Sequence, residues 1–134
     1  MSEPAGLVAG ATVTMGRTHY AVEVTSGQHR FAADEPKSAG GGDAGPSPFG
    51  LLLSSLGACT AITLRMYAER KQWPLAAIEV RLAYRWQEDQ PLIERQVTLE
   101  GLDPEQRRRC AEIAEKTPVT RALKRGITIN TTLA

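Results

Sequence analysis

The segment AIEVRLAYRW, residues 77–86, alternates apolar and charged side chains with period two. Ile78, Val80, Leu82, Tyr84 and Trp86 fall on one side, Glu79, Arg81 and Arg85 on the other, and Ala83 is neutral. Successive strand residues point to opposite faces, so this pattern reads as a strand with one buried face. QEDQP turns the chain at 87–91, and residues 92–100 return as an antiparallel partner.

The longest helical stretch runs from Pro48 to about Lys71. Ser47 serves as its N-cap, and Pro48 suits the first helical position, where a missing N–H costs nothing. Leu52, Leu56, Cys59, Thr63, Met66 and Tyr67 recur at helical spacing and mark a buried stripe. Leu51, Leu53, Ile62 and Leu64 add apolar surface elsewhere, so this helix is expected to be covered on several sides. Pro74 ends it by holding Trp73 out of the helical region.

The remaining elements follow from shorter signals. Residues 1–9 read as a flexible terminus. Val13 and Met15, then Tyr20, Val22 and Val24, then His29, Phe31 and Ala33 predict three short antiparallel strands broken at Gly16 and at SGQ, 26–28. DEPKSAGGGDAGPSP, 34–48, is a Gly/Pro-rich loop, long enough to be functional or mobile. Asp103, Pro104 and Gln106 form a capping signal for a helix to about Lys116. Thr117-Pro118 repeats the signature for a short helix through Leu123, ended by Gly126. ITINTTL, 127–133, reads as a closing strand. The expected order is βββ-α-ββ-α-α-β, an α+β fold in one domain spanning 1–134.

Composition narrows function mainly by exclusion. Across 134 residues the formal charge is +1, which gives no electrostatic reason to expect nucleic acid or an anionic membrane as partner. The basic run QRRRC, 106–110, is balanced by Asp103, Glu105 and Glu112 and reads as a solvated helix face. The most apolar stretch, Leu51 to Leu64, is interrupted by Ser and Thr and falls short of the ~20 residues of a membrane span. With two cysteines and no basic, apolar leader, a cytoplasmic protein with reduced thiols is expected.

The Gly-rich loop lacks the Gly-Lys-Ser/Thr ending of a phosphate loop. His19 and His29 have no cysteine near them in sequence and no zinc-ligand spacing. Cys59 carries the remaining chemistry, and its residues leave two readings open. A free cysteine in mid-helix packs as a small hydrophobe. Alternatively, Gly57, unfavourable in a helix by roughly 1 kcal/mol, marks a close approach to the backbone, and the small neighbours leave room for a substrate. Three turns into its helix, Cys59 would need a cation from elsewhere to react as a thiolate.

GPSPFGLLLSSLGACTAITLRMYAERKQWPL, with DEP, GLDPEQRRR, EIAEKTPV and the closing segment, resembles the OsmC-like family, which includes the organic hydroperoxide resistance proteins. The resemblance implies antiparallel sheets around a long central helix, in an intertwined homodimer with sites at the subunit interface. Cys59 matches the peroxidatic cysteine, and Arg17 the arginine that favours the thiolate and stabilises the departing alkoxide. The family's glutamate falls on Phe49, which becomes a pocket-lining candidate; Glu35 or Asp43 could supply a carboxylate instead. The resolving cysteine falls on Thr117, which keeps the cap and discards the disulfide; a Cys59–Cys110 pair is the other route. The implied activity is a one-cysteine peroxidase that reduces organic hydroperoxides, is recycled by an external thiol, and needs no metal or organic cofactor. The alternative is a peroxidase-deficient dimer that binds a small apolar or sulfur-containing ligand.

Overall fold

The structure, a computed structural model, describes residues 6–134, so the first five residues of the expected 1–9 terminus lie outside the described residues. The chain divides into two compact units, Met1–Leu51 and Leu52–Ala134.

In the first unit, β1 (Thr12–Thr14), β2 (Val22–Ser26) and β3 (His29–Ala33) form an antiparallel sheet in that order. Val13 pairs with Val24, and Val24 with Phe31. The 34–48 loop is organised around one carboxylate. Asp34 Oδ1 accepts the Glu35 N–H at 2.7 Å, and Oδ2 accepts those of Gly42 and Ala44 at 3.2 and 3.1 Å. The amide of Asp34 donates to Pro46 O at 3.1 Å, closing the loop on itself. A Cβ on Gly45 would stand 2.1 Å from Ala32 O, so this glycine serves close backbone packing.

The helix α1 (Pro48–Lys71) has the expected limits. Ser47 Oγ accepts the Gly50 N–H at 3.1 Å, as an N-cap side chain should. Gln72, at φ 58°, turns the chain out of the helix. The buried residues of α1 are Leu56, Thr60, Leu64 and Ala68. Of the expected stripe only Leu56 lies among them; Leu52, Cys59, Thr63 and Tyr67 are half-buried and Met66 is exposed. Thr60 can be buried because its hydroxyl donates to Leu56 O at 2.7 Å, satisfying a group that hydropathy alone would turn outward. By length and composition α1 is long and apolar enough to cross a membrane, against the expectation that this stretch falls short: an 18-residue window within it has a mean hydropathy of 1.4, a test that core helices of soluble proteins also pass.

In the second unit, β4 (Ala77–Gln87) and β5 (Gln90–Glu100) form an antiparallel pair in which Val80 faces Val97 and Leu82 faces Arg95. Glu88 and Asp89 make the two-residue turn, both at positive φ, which matches the twist of the strands it joins. The next helix, α2 (Pro104–Ala114), starts with a reciprocal capping box between Asp103 and Gln106. The last, α3 (Pro118–Arg125), follows Thr117 and ends at Gly126. Leu56, Leu64, Ala68, Leu75, Cys110 and Ala114 form the apolar core of this unit, together with buried Thr60, Thr117 and Thr120.

The expected closing strand is not there. Among the described residues, 127–133 form no strand, and Ile127, Ile129 and Leu133 stand exposed. Its β-branched alternation fits a pleated surface, but a strand exists only against an edge that supplies its hydrogen bonds, and none is paired with it. The observed order is therefore βββ-α-ββ-α-α.

Candidate thiol site

Cys59 sits half-buried in the middle of α1, and its Sγ accepts the N–H of Val119 at 3.5 Å. Val119 is the second residue of α3, where backbone amides have no partner within their own helix and carry the positive end of its dipole. Its depth in α1 denies Cys59 the amides of its own helix. The chain supplies those of another helix, which one-dimensional reading does not register.

The two residues that follow this pair share a single cation. Arg95 Nη1 donates to Thr60 Oγ1 at 3.0 Å and to Thr120 Oγ1 at 2.8 Å, while Nη2 donates to Ala114 O at 3.1 Å. The Arg95 side chain is 12% exposed, and Glu115 Oε1 stands 3.9 Å from Nη2. Glu115 is more closely held by Lys124, whose ammonium keeps that carboxyl below its ordinary range. The family resemblance points to Arg17 as the cation for the sulfur and gives no role to Arg95. A signal was available: Arg95 shares the inward register of β5 with Ile93, Val97 and Leu99, a charge on an apolar face.

Thr117 is fully buried and has the extended backbone of an N-cap, but its side chain does not cap. Its Oγ1 lies 2.6 Å from Thr120 Oγ1, and Thr120 Oγ1 donates in turn to Ala114 O at 3.2 Å. With the Thr120 proton directed there, Thr117 is the donor of the hydroxyl pair. The expected side-chain cap is therefore absent, and Thr117 contributes to the helix only through its carbonyl, which accepts the first intrahelical bond from the Arg121 N–H at 3.0 Å.

Gly57 also has an explanation other than substrate space. A Cβ there would meet Leu82 Cδ1 at 2.8 Å, so the glycine lets β4 lie close on α1. Both cysteines are free. Cys110, 1% exposed, is part of the core, and burial pushes its thiol up from the ordinary value.

The other candidates lie in the first unit. Arg17 occupies an exposed bend between β1 and β2, and Phe49, 53% exposed, is the second residue of α1. Glu35 and Asp43 are both part of the Asp34-centred loop, where the Asp43 amide donates to Glu35 O at 3.1 Å. His19 stacks on Tyr20 and its Nε2 lies 2.8 Å from Gly40 O, while His29 pairs with Ser26 in the β2–β3 ladder. Among the described residues no three His, Cys, Asp or Glu side chains gather where they could hold a metal ion. The second unit contains a cavity of about 650 Å³, lined by Leu56, Leu92, Ile93, Leu123, Arg95 and Thr120 among others.

Residues 40–132 match the family model described as OsmC-like protein. The chain belongs to the OsmC-like family. No curated protein matches it by sequence. Solved structures resemble this OsmC-like chain over most of its length. The OsmC-like protein of Mycoplasma pneumoniae is 15% identical with a TM-score of 0.71, covering 89% of each chain. The organic hydroperoxide resistance protein OsmC of Legionella pneumophila is 19% identical with a TM-score of 0.67, covering 90% of this chain and 92% of that one. OhrB of Bacillus subtilis, also an organic hydroperoxide resistance protein, is 23% identical with a TM-score of 0.63, covering 90% and 93%. At these identities the likeness is one of fold: an α+β OsmC-like fold with antiparallel sheets and a long central helix.

Proposed function

We propose that this OsmC-like chain is a thiol-dependent peroxidase that reduces organic hydroperoxides through one redox cysteine, Cys59, and serves in oxidative stress defence. The observation that carries the reading is the Val119 N–H on Cys59 Sγ. A helix N-terminus favours negative charge at its first amides, and the nucleophilic form of a cysteine is the thiolate. In the proposed cycle the Cys59 thiolate attacks the distal oxygen of ROOH. The S–O bond forms as the O–O bond breaks, the sulfur is oxidised to sulfenic acid, and the alkoxide leaves as ROH after taking a proton. One external thiol then displaces water to give a mixed disulfide. A second releases Cys59 and leaves as the oxidised disulfide. Such recycling suits a reducing cytoplasm. Two fold relatives that are organic hydroperoxide resistance proteins support the substrate class.

A homodimer is part of the proposal. Ile62 and Met66 on α1 are 54% and 59% exposed, and Ile129 is almost fully so. A second copy of the chain would cover them.

The second reading, a peroxidase-deficient dimer that binds a small apolar or sulfur-containing ligand, is favoured by Thr117 and Phe49, which stand where the resemblance places a cysteine and a glutamate. Cumene hydroperoxide consumption with excess dithiothreitol separates the two. The peroxidase predicts turnover that Cys59→Ser abolishes and Cys110→Ala leaves in place. Loss in both variants would point to a Cys59–Cys110 disulfide instead. A folded protein with no turnover above the dithiothreitol background would leave the binding scaffold.

A further inference from the structure

We propose that Arg95 is a positioning residue for the Cys59 thiol, holding the N-terminus of α3 against the sulfur; the inference rests on the reading of Cys59 as a reactive cysteine. Arg95 Nη1 bridges Thr60 Oγ1 and Thr120 Oγ1, and these are the residues immediately after Cys59 and Val119. One guanidinium therefore spans the same two helices, one residue along from the sulfur–amide contact, and fixes their separation there. Its planar fork also reaches Ala114 O, at the end of α2, so the α2–α3 junction is tied to β5 by the same group. The cation is nearly buried, and Glu115 at 3.9 Å neutralises it only in part because Glu115 is paired with Lys124. Arg95 and Lys124 against the single Glu115 leave net positive the network that joins Thr60 of α1 to Thr120 of α3. Within this unit Arg95 from β5 stands against Glu115 after α2, and Glu115 is paired with Lys124 from α3, while Tyr84 from β4 and Arg107 from α2 line cavities shared with Arg95. Arg65, on α1, is directed to Leu75 O.

A merely structural arginine would set stability and leave the thiol chemistry unchanged. The test is the rate of Cys59 alkylation by iodoacetamide at pH 6.5 and pH 9.5, in the full chain carrying Cys110→Ala, with melting temperature as the folding control. Arg95→Met should lower the rate at the acid pH about tenfold, while at the alkaline pH the change should stay within about twofold. Thr120→Val, which removes the bridging oxygen together with its bonds to Thr117 and Ala114 O, should shift the ratio in the same direction. Arg95→Lys, which restores charge but no fork, should recover part of it. A folded Arg95→Met with the parent's ratio overturns the proposal; if that variant does not fold, an unchanged ratio in Thr120→Val overturns it. Normal peroxide turnover with an unchanged ratio rejects Arg95 alone. A shifted ratio in a protein that consumes no peroxide rejects the peroxidase and keeps the positioning role. A Cys59 that alkylates at neither pH overturns both.

Discussion

Thr117 Oγ1 lies 2.6 Å from Thr120 Oγ1, so the hydroxyl at the start of α3 is turned into a buried pair and away from the amides it precedes. Two residues on, the Val119 amide is left to the sulfur of Cys59. Thr117 thus occupies the resolving position of the family resemblance while its side chain supports the site from behind. Thr117→Cys removes one buried donor and should cost about 1 kcal/mol in urea unfolding. It also places a thiol two residues from the amide that touches Cys59. One equivalent of cumene hydroperoxide should then give an internal disulfide, visible by mass spectrometry as loss of two hydrogens, whereas the parent should give sulfenic acid trapped by dimedone. A variant that still yields only the dimedone adduct would show that the start of α3 cannot reach the sulfur.

The loop at 34–48 should loosen in acid before the rest of its unit. The Ala44 N–H foremost, with those of Glu35 and Gly42, holds the Asp34 carboxyl below the usual carboxylate range against the opposing effect of burial. A carboxyl depressed on folding contributes stability that is fully present above its unfolded value, about 3.9, and is lost as pH falls through the folded value. Amide exchange at Gly42 and Ala44 should therefore accelerate, relative to the β2–β3 ladder, as pH falls below about 4. Asp34→Asn should show the loosened loop already at neutral pH. Unchanged protection of these two amides in that variant would mean the loop is held by other contacts.

The elements that sequence exposed most clearly were those whose signal is local. The alternation of Ile78, Val80 and Leu82, the Asp103–Gln106 box, and Ser47-Pro48 each state a conformation within a few residues, and each is found as read. What the sequence hid depends on partners far along the chain. Thr60 is buried because Leu56 O and Arg95 satisfy it, and those partners belong to tertiary structure. The thiol site was half legible: Cys59 stood out by its small neighbours, but its donor comes from a residue 60 positions later. ITINTTL has strand composition without a strand, since propensity describes a chain that would pair and cannot name the edge.

Gly57 offers a test of why a helix breaker sits beside the thiol. Alanine gains roughly 1 kcal/mol of helix propensity. Its methyl meets Leu82 Cδ1 at 2.8 Å, and moving the end of that flexible side chain off its rotamer costs of order 0.5–1.5 kcal/mol. Gly57→Ala should therefore change stability by less than about 1 kcal/mol either way. Gly57→Leu should destabilise by about 1–3 kcal/mol, because β4 cannot retreat from α1 without disturbing the register that places Arg95. If Gly57→Leu proves as stable as the parent, the close approach of Leu82 is not what the glycine serves.

The exposed apolar residues of α1 require cover if the protein is to stay in solution, and the proposed cover is a second copy. Burying Ile62 and Met66 would each contribute roughly 1.5–3 kcal/mol, and a charge placed there would be stranded on association. Ile62→Lys should shift the mass measured by light scattering from dimer to monomer at micromolar concentration, with the circular dichroism of each chain retained. Removing residues 127–134 should weaken the dimer as well if ITINTTL finds its missing edge on the partner, since an exposed alternating segment is suited to strand addition. A parent protein that is monomeric at these concentrations rules out the second copy. If that monomer sediments with phospholipid vesicles, the cover for α1 is a bilayer.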